Sequence, residues 1–115
     1  TLRDLQNELK KKGHPWEVAK AFDGAAPLSP FLRPDGFALD DIRFSLSVNG
    51  EVRQRGHSAD MITPILPLLA YVSRIFTLEP GDVVMTGTPE GVAPLRSGDA
   101  LVLEMGGLRA ETAVA

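Results

Sequence analysis

Lys20 stands between Ala19 and Ala21, with Phe22 and Trp16 close by in the chain. An ammonium among apolar neighbours loses part of its hydration, and its field then acts strongly on a nearby anion. The same surroundings also suit a surface lysine whose stem lies along apolar groups, and spacing alone favours that simpler reading. A second candidate is the run Thr86-Gly87-Thr88-Pro89-Glu90-Gly91. Its glycines let backbone approach a ligand, and its hydroxyls can hydrogen-bond an oxyanion or a carboxylate. It lacks the Gly-Lys-Ser/Thr of a phosphate-binding P-loop, and a plain Gly/Pro turn explains it equally well. Arg3 and Gln6 sit three apart, so on a helix they share a face and can reach one ligand together. Taken alone, they read more simply as part of a solvated face.

Metal chemistry finds less support in the residues themselves. His14 and His57 are far apart, each reads as a loop residue, and neither has a second histidine or a carboxylate at ligand spacing. Asp40-Asp41 precedes a strand and reads as a turn pair. The absence of cysteine excludes disulfides and thiolate catalysis and suits a reducing, cytoplasmic setting. The net charge of -3 and the lack of a basic stripe argue against nucleic acid as a partner. Lys10, Lys11 and Lys12 read as a solvated helix end. The longest apolar run, Ile65 to Val72, is interrupted by Pro67 and is too short to span a bilayer. No signal peptide is visible, although Thr1 opens on a helix rather than on methionine, which leaves room for targeting information ahead of it.

The elements that must position these residues follow from periodicity. With 115 residues, 43% of them apolar, the chain is expected to form one domain, residues 1–115, with a real core. Thr1 is a candidate helix cap with Asp4 as its partner, and Leu2, Leu5 and Leu9 make an apolar stripe. Glu8 and Lys12 are placed to pair across one turn, Gly13 supplies the stop, and Pro15 prevents continuation. Residues 14–36 are rich in Pro and Gly and read as a long, functional loop. Ile42, Phe44, Leu46 and Val48 alternate with polar residues, Asn49-Gly50 signals a tight hairpin, and Glu51 to Arg55 returns near an edge. A second helix begins at Thr63-Pro64, with Ile65, Leu68, Leu69, Val72, Ile75 and Phe76 on its apolar face. Val83 to Met85 reads as a short buried strand. Leu101 to Met105 and Leu108 to Val114 flank Gly106-Gly107 as a second hairpin. Two helices and about five strands, mostly hairpin-paired, predict a mixed, mainly antiparallel α+β fold.

Several of these segments recur together in one family. Arg3-Asp4-Leu5-Gln6, Gly13-His14-Pro15-Trp16, Ala19-Lys20-Ala21-Phe22-Asp23, Val48-Asn49-Gly50-Glu51, Gln54-Arg55-Gly56 and the run from Pro80 to Val92 resemble, in that order, the C-terminal catalytic domain of the fumarylacetoacetate hydrolase family. The likeness is greatest to its short acylpyruvase and oxaloacetate decarboxylase-type members. The resemblance implies a β-roll with two peripheral helices, a homodimer, and a Mg²⁺ or Mn²⁺ ion held by carboxylates that fall upstream of Thr1. It implies a substrate that is a small 2-oxo or 2,4-dioxo acid. By motif position, Lys20 corresponds to the catalytic cation beside the substrate, and Arg3 and Gln6 to substrate contacts. Thr88 corresponds to the hydroxyl that binds the substrate carboxylate, with Gly87 and Pro89 shaping its loop. The implied activity is metal-dependent hydrolysis of a C–C bond in an acylpyruvate, with decarboxylation of oxaloacetate as a related reaction. Isomerase or hydratase chemistry on the same scaffold, or a non-catalytic half, are the alternatives. The histidine–glutamate pair with which acylpyruvases activate water has no counterpart in these residues.

Overall fold

The computed structural model describes residues 1–115. They form two compact units, Thr1–Phe31 and Leu32–Ala115. In the first, helix α1 spans Arg3–Lys12 and a single-turn helix α2 spans Glu17–Lys20. Gly13 ends α1 at φ 66° in the left-handed region, and the amides of Gly13 and His14 satisfy the open carbonyls of Lys10 and Leu9. The expected Thr1 cap does not form: α1 has no side-chain cap, and the Thr1 hydroxyl is engaged by Lys20 instead. Glu8 pairs with Lys11 at 3.1 Å rather than with Lys12, because positions three apart are also neighbours on a helix. The segment read as one long loop contains α2, whose four residues are too few to show a periodic pattern.

The second unit is built on four antiparallel strands: β1 Arg43–Val48, β2 Glu51–His57, β3 Ala100–Met105 and β4 Leu108–Ala113, in the order β2-β1-β3-β4. Helix α3, Ile65–Val72, lies between β2 and β3 in the chain. The predicted fold class holds: helices with a mainly antiparallel sheet made of two hairpins. Asn49 and Gly50 turn between β1 and β2 at φ 52° and 83°, the positive pair that a type I′ turn demands. The expected strand at Val83–Met85 is not formed; Val83 is 47% and Met85 72% exposed, and no strand lies alongside to pair with them. Nor does the expected core appear. Ala19 and Val48 are the buried apolar residues, and α3 buries none of its own. Ile75 and Phe76, read as part of the apolar face of α3, lie beyond its end and are exposed. No helix is long and apolar enough to cross a membrane.

Asn49 has a second task. Its side-chain nitrogen donates to Asp99 Oδ1 at 2.8 Å, and its side-chain oxygen accepts from the Ala100 amide at 2.9 Å, so the β1–β2 turn is tied to the start of β3. The backbone amide of Arg96 and the Asn49 side chain both donate to Asp99, and together they hold its carboxyl below the ordinary value. A carboxylate with a depressed folded-state pKa adds stability that is present at neutral pH and lost as acid protonates it. We expect the stability difference between the native chain and Asp99→Asn to shrink as pH falls below about 4. Denaturant midpoints measured at pH 7 and at pH 3 to 4 check this; a difference independent of pH would remove Asp99 from the turn's stabilisation.

Candidate functional site

In the first unit, α1 carries Arg3 and Gln6 and α2 carries Lys20. The three-residue spacing puts Arg3 and Gln6 one turn apart, and Arg3 Nη1 donates to Gln6 Oε1 at 3.0 Å. That bond occupies an acceptor site on the Gln6 oxygen and leaves the amide N–H groups and the rest of the guanidinium as donors. The pair therefore presents donors, which suits an anionic ligand. Gln6 is also buried, so its orientation is held. The Leu2 amide donates to the Ala19 carbonyl at 3.0 Å, which lays α2 against the first turn of α1, with Ala19 fully enclosed. Lys20 Nζ then donates to Thr1 Oγ1 at 3.1 Å. Within this unit the structure thus brings Lys20 to the end of α1 where Arg3 begins.

Gly87, Thr88 and Pro89 belong to the second unit, in an extended, strandless segment. Glycine-rich backbone of this kind needs something to hold it, and the holder is Gln54 of β2. Gln54 Nε2 donates to Thr88 Oγ1 at 2.9 Å, to the Pro89 carbonyl at 3.0 Å and lies 3.2 Å from the Glu90 carbonyl. Gln54 is buried, whereas Thr88 is exposed. A register slip between Leu46 and Ser47 leaves Arg53 without a partner on β1, and the Arg53 carbonyl lies directly against Gly91. In the sequence Gln54 belongs to one of the family-like motifs, Gln54-Arg55-Gly56, and carries no candidate role. Its sequence signal was only that it interrupts a polar strand with an amide; the loop it grips lies far along the chain.

The sequence reads His57 as an isolated loop histidine, and the structure corrects this. It ends β2 and its Nε2 lies 2.7 Å from Asp41 Oδ1, which Arg43 also approaches at 3.1 Å. The histidine hydrogen bond first, and the arginine charge second, hold Asp41 below the ordinary carboxylate value. Asp41 is more than a turn residue, because Arg43 and His57 are cross-strand partners and bring the pair together. No group of three or more His, Cys, Asp or Glu side chains in these residues is arranged to hold a metal ion.

The family described as fumarylacetoacetate (FAA) hydrolase, C-terminal, matches residues 1–114. An oxaloacetate tautomerase, YcgM of Escherichia coli K12, is 57% identical over 109 residues, covering 93% of this chain and 50% of its own length. The chain thus spans about half the length of the curated relatives it matches. A protein of Yersinia pestis CO92 assigned to the fumarylacetoacetate hydrolase family superposes with a TM-score of 0.94 at 50% identity, covering all of this chain and 55% of that one. Fumarylpyruvate hydrolase from Pseudomonas aeruginosa, solved with Mn²⁺ and pyruvate, gives a TM-score of 0.86 at 40% identity over 97% of this chain and 48% of that one.

Proposed function

Because this chain belongs to the fumarylacetoacetate hydrolase family, we propose that the intact protein acts on small 2-oxo acids through their enol or enolate form, and that its reaction is keto–enol tautomerisation of oxaloacetate. The observation that supports this is the 57% identity with the E. coli oxaloacetate tautomerase across 93% of the chain. In the reaction one proton leaves C3 and one is added to the C2 oxygen, so no bond between heavy atoms breaks. Negative charge gathers on the C2 oxygen as the C3 proton departs. Lys20 is the group proposed to stabilise it, acting as a fixed cation at the developing oxyanion. The donor pair Arg3 and Gln6 and the hydroxyl of Thr88 are proposed to bind the carboxylates and orient the C3–H bond, with Gly87 and Pro89 holding the Thr88 loop in shape. A divalent ion, as in the P. aeruginosa neighbour, and a homodimer are part of the proposal. The side chains present do not make an ion's ligand set, so its ligands are assigned to chain outside these 115 residues and no step is routed through it.

C–C bond hydrolysis is the second reading, favoured by the P. aeruginosa fumarylpyruvate hydrolase. Water would add to the distal carbonyl of an acylpyruvate, and cleavage would release the pyruvate enolate, the same kind of anion. Decarboxylation of oxaloacetate leads to that enolate too, with loss of CO2.

The test supplies the intact protein, with Mg²⁺ or Mn²⁺, with oxaloacetate dissolved from its enol form. Fast decay of the enol absorbance without pyruvate release supports the tautomerase. Pyruvate released from fumarylpyruvate or acetylpyruvate, with no effect on the enol decay, replaces it with the hydrolase. Inactivity on all three substrates overturns both.

A further inference from the structure

We infer that Gln54 is a positioning residue that orients the Thr88 hydroxyl as a hydrogen-bond donor toward a substrate carboxylate. The inference rests on the preceding proposal that Thr88 binds that carboxylate. Its own basis is the geometry of the amide. A threonine hydroxyl has one proton to donate and two lone pairs to accept with. Gln54 Nε2 donates to Thr88 Oγ1 at 2.9 Å, so the hydroxyl accepts on that side and its proton must point elsewhere. A hydroxyl so arranged is a donor to whatever approaches its free side, which suits an anion. The same nitrogen reaches the carbonyls of Pro89 and Glu90 at 3.0 and 3.2 Å, so one amide holds three consecutive residues of a segment that has no strand partner.

The support lies in β2. Extra residues in one strand of an antiparallel pair bend it and re-aim its side chains. Here the slip falls at Arg53, immediately before Gln54, and the Arg53 carbonyl lies against Gly91, leaving no room there for a Cβ. Gln54 is 8% exposed, so water cannot readily replace the bonds it makes to the loop.

Two variants of the intact protein test the assignment. Gln54→Leu keeps an apolar stem but cannot donate. Its KM for oxaloacetate should rise on the order of 10-fold, with kcat changed less, since loss of an oriented hydrogen bond to a charged group is worth about that factor. Amide hydrogen exchange across residues 86–91 should quicken while that of β3 and β4 stays unchanged. Gln54→Glu replaces the donor with a carboxylate, which repels the Pro89 and Glu90 carbonyls and draws the Thr88 proton to itself. That variant should be impaired at neutral pH and recover relative to wild type on acidification, as the carboxyl regains a proton to donate; a role that did not depend on the side chain's ability to donate would show no such recovery. Should wild type fail to turn over oxaloacetate, the proposed function falls, and exchange across 86–91 together with affinity for pyruvate read the same two effects on Gln54. Unchanged KM or affinity with unchanged exchange in Gln54→Leu, or a Gln54→Glu pH profile parallel to wild type, overturns the assignment.

Discussion

Lys20→Ala is expected to lower the proposed turnover of oxaloacetate by the intact protein by on the order of 100-fold, the size of effect seen when one preorganised stabiliser of a developing anion is removed. That corresponds to about 2.7 kcal/mol of transition-state stabilisation. The side chain is suited to the task by what holds it. Its ammonium donates to the neutral hydroxyl of Thr1 at 3.1 Å, so no carboxylate cancels its field there. Its backbone belongs to α2, which is anchored through the Ala19 carbonyl, and that bond survives truncation of the lysine. Lys20 is exposed, so the variant should melt close to wild type. The loss should fall mainly on kcat, because in the proposed reaction the enolate charge develops only on the way through the transition state. Lys20→Arg keeps the charge but not the compact geometry of an ammonium and should recover only part of the rate. Steady-state kinetics with oxaloacetate check all of this, and an alanine variant with unchanged kinetics removes Lys20 from the chemistry.

Gly91→Ala should be the most damaging small substitution in the second unit. Gly91 has φ 91°, where an L side chain is strained at a cost of about 1–3 kcal/mol. A Cβ there would also run into the Arg53 carbonyl oxygen and lie 3.2 Å from Gln54 Cγ. A backbone carbonyl beside a register slip cannot swing away without disturbing the β1–β2 ladder. We expect a total loss of about 3 kcal/mol or more, with strain and overpacking adding together. Gly87→Ala is the control: φ is 109° there, but nothing lies within 4 Å of the added carbon. Denaturant midpoints of the two variants separate the collision from the strain. Equal losses would show that the approach of residue 91 to Arg53 is looser than the structure has it.

The local signals were legible for physical reasons. Asn49-Gly50 announces its turn because few other pairs tolerate two positive φ angles in succession, and Gly13 announces the end of α1 for a similar reason. Alternation in Ile42–Val48 and in the two arms around Gly106-Gly107 marked three of the four strands. Val83–Met85 misled because a short apolar run looks the same whether or not a strand lies beside it to pair with. Helix α2 was missed because four residues carry no period.

The candidate site divides in the same way. Residue types and spacing alone read Lys20, Arg3 and Gln6 more simply as surface residues and the Thr88 loop equally well as a plain turn; only the resemblance to the family, carried by the ordered motifs, singles them out as candidates to act on an oxo acid. Which of them acts as donor, and what holds each in place, was decided only in three dimensions. Gln54 reaches Thr88 across 34 residues of sequence, Asp99 reaches Asn49 across 50, and Asp41 meets His57 only because two strand ends are paired. A hydrogen bond depends on a separation of a few ångströms and a direction, and neither is encoded by spacing along a chain once that chain has turned back on itself.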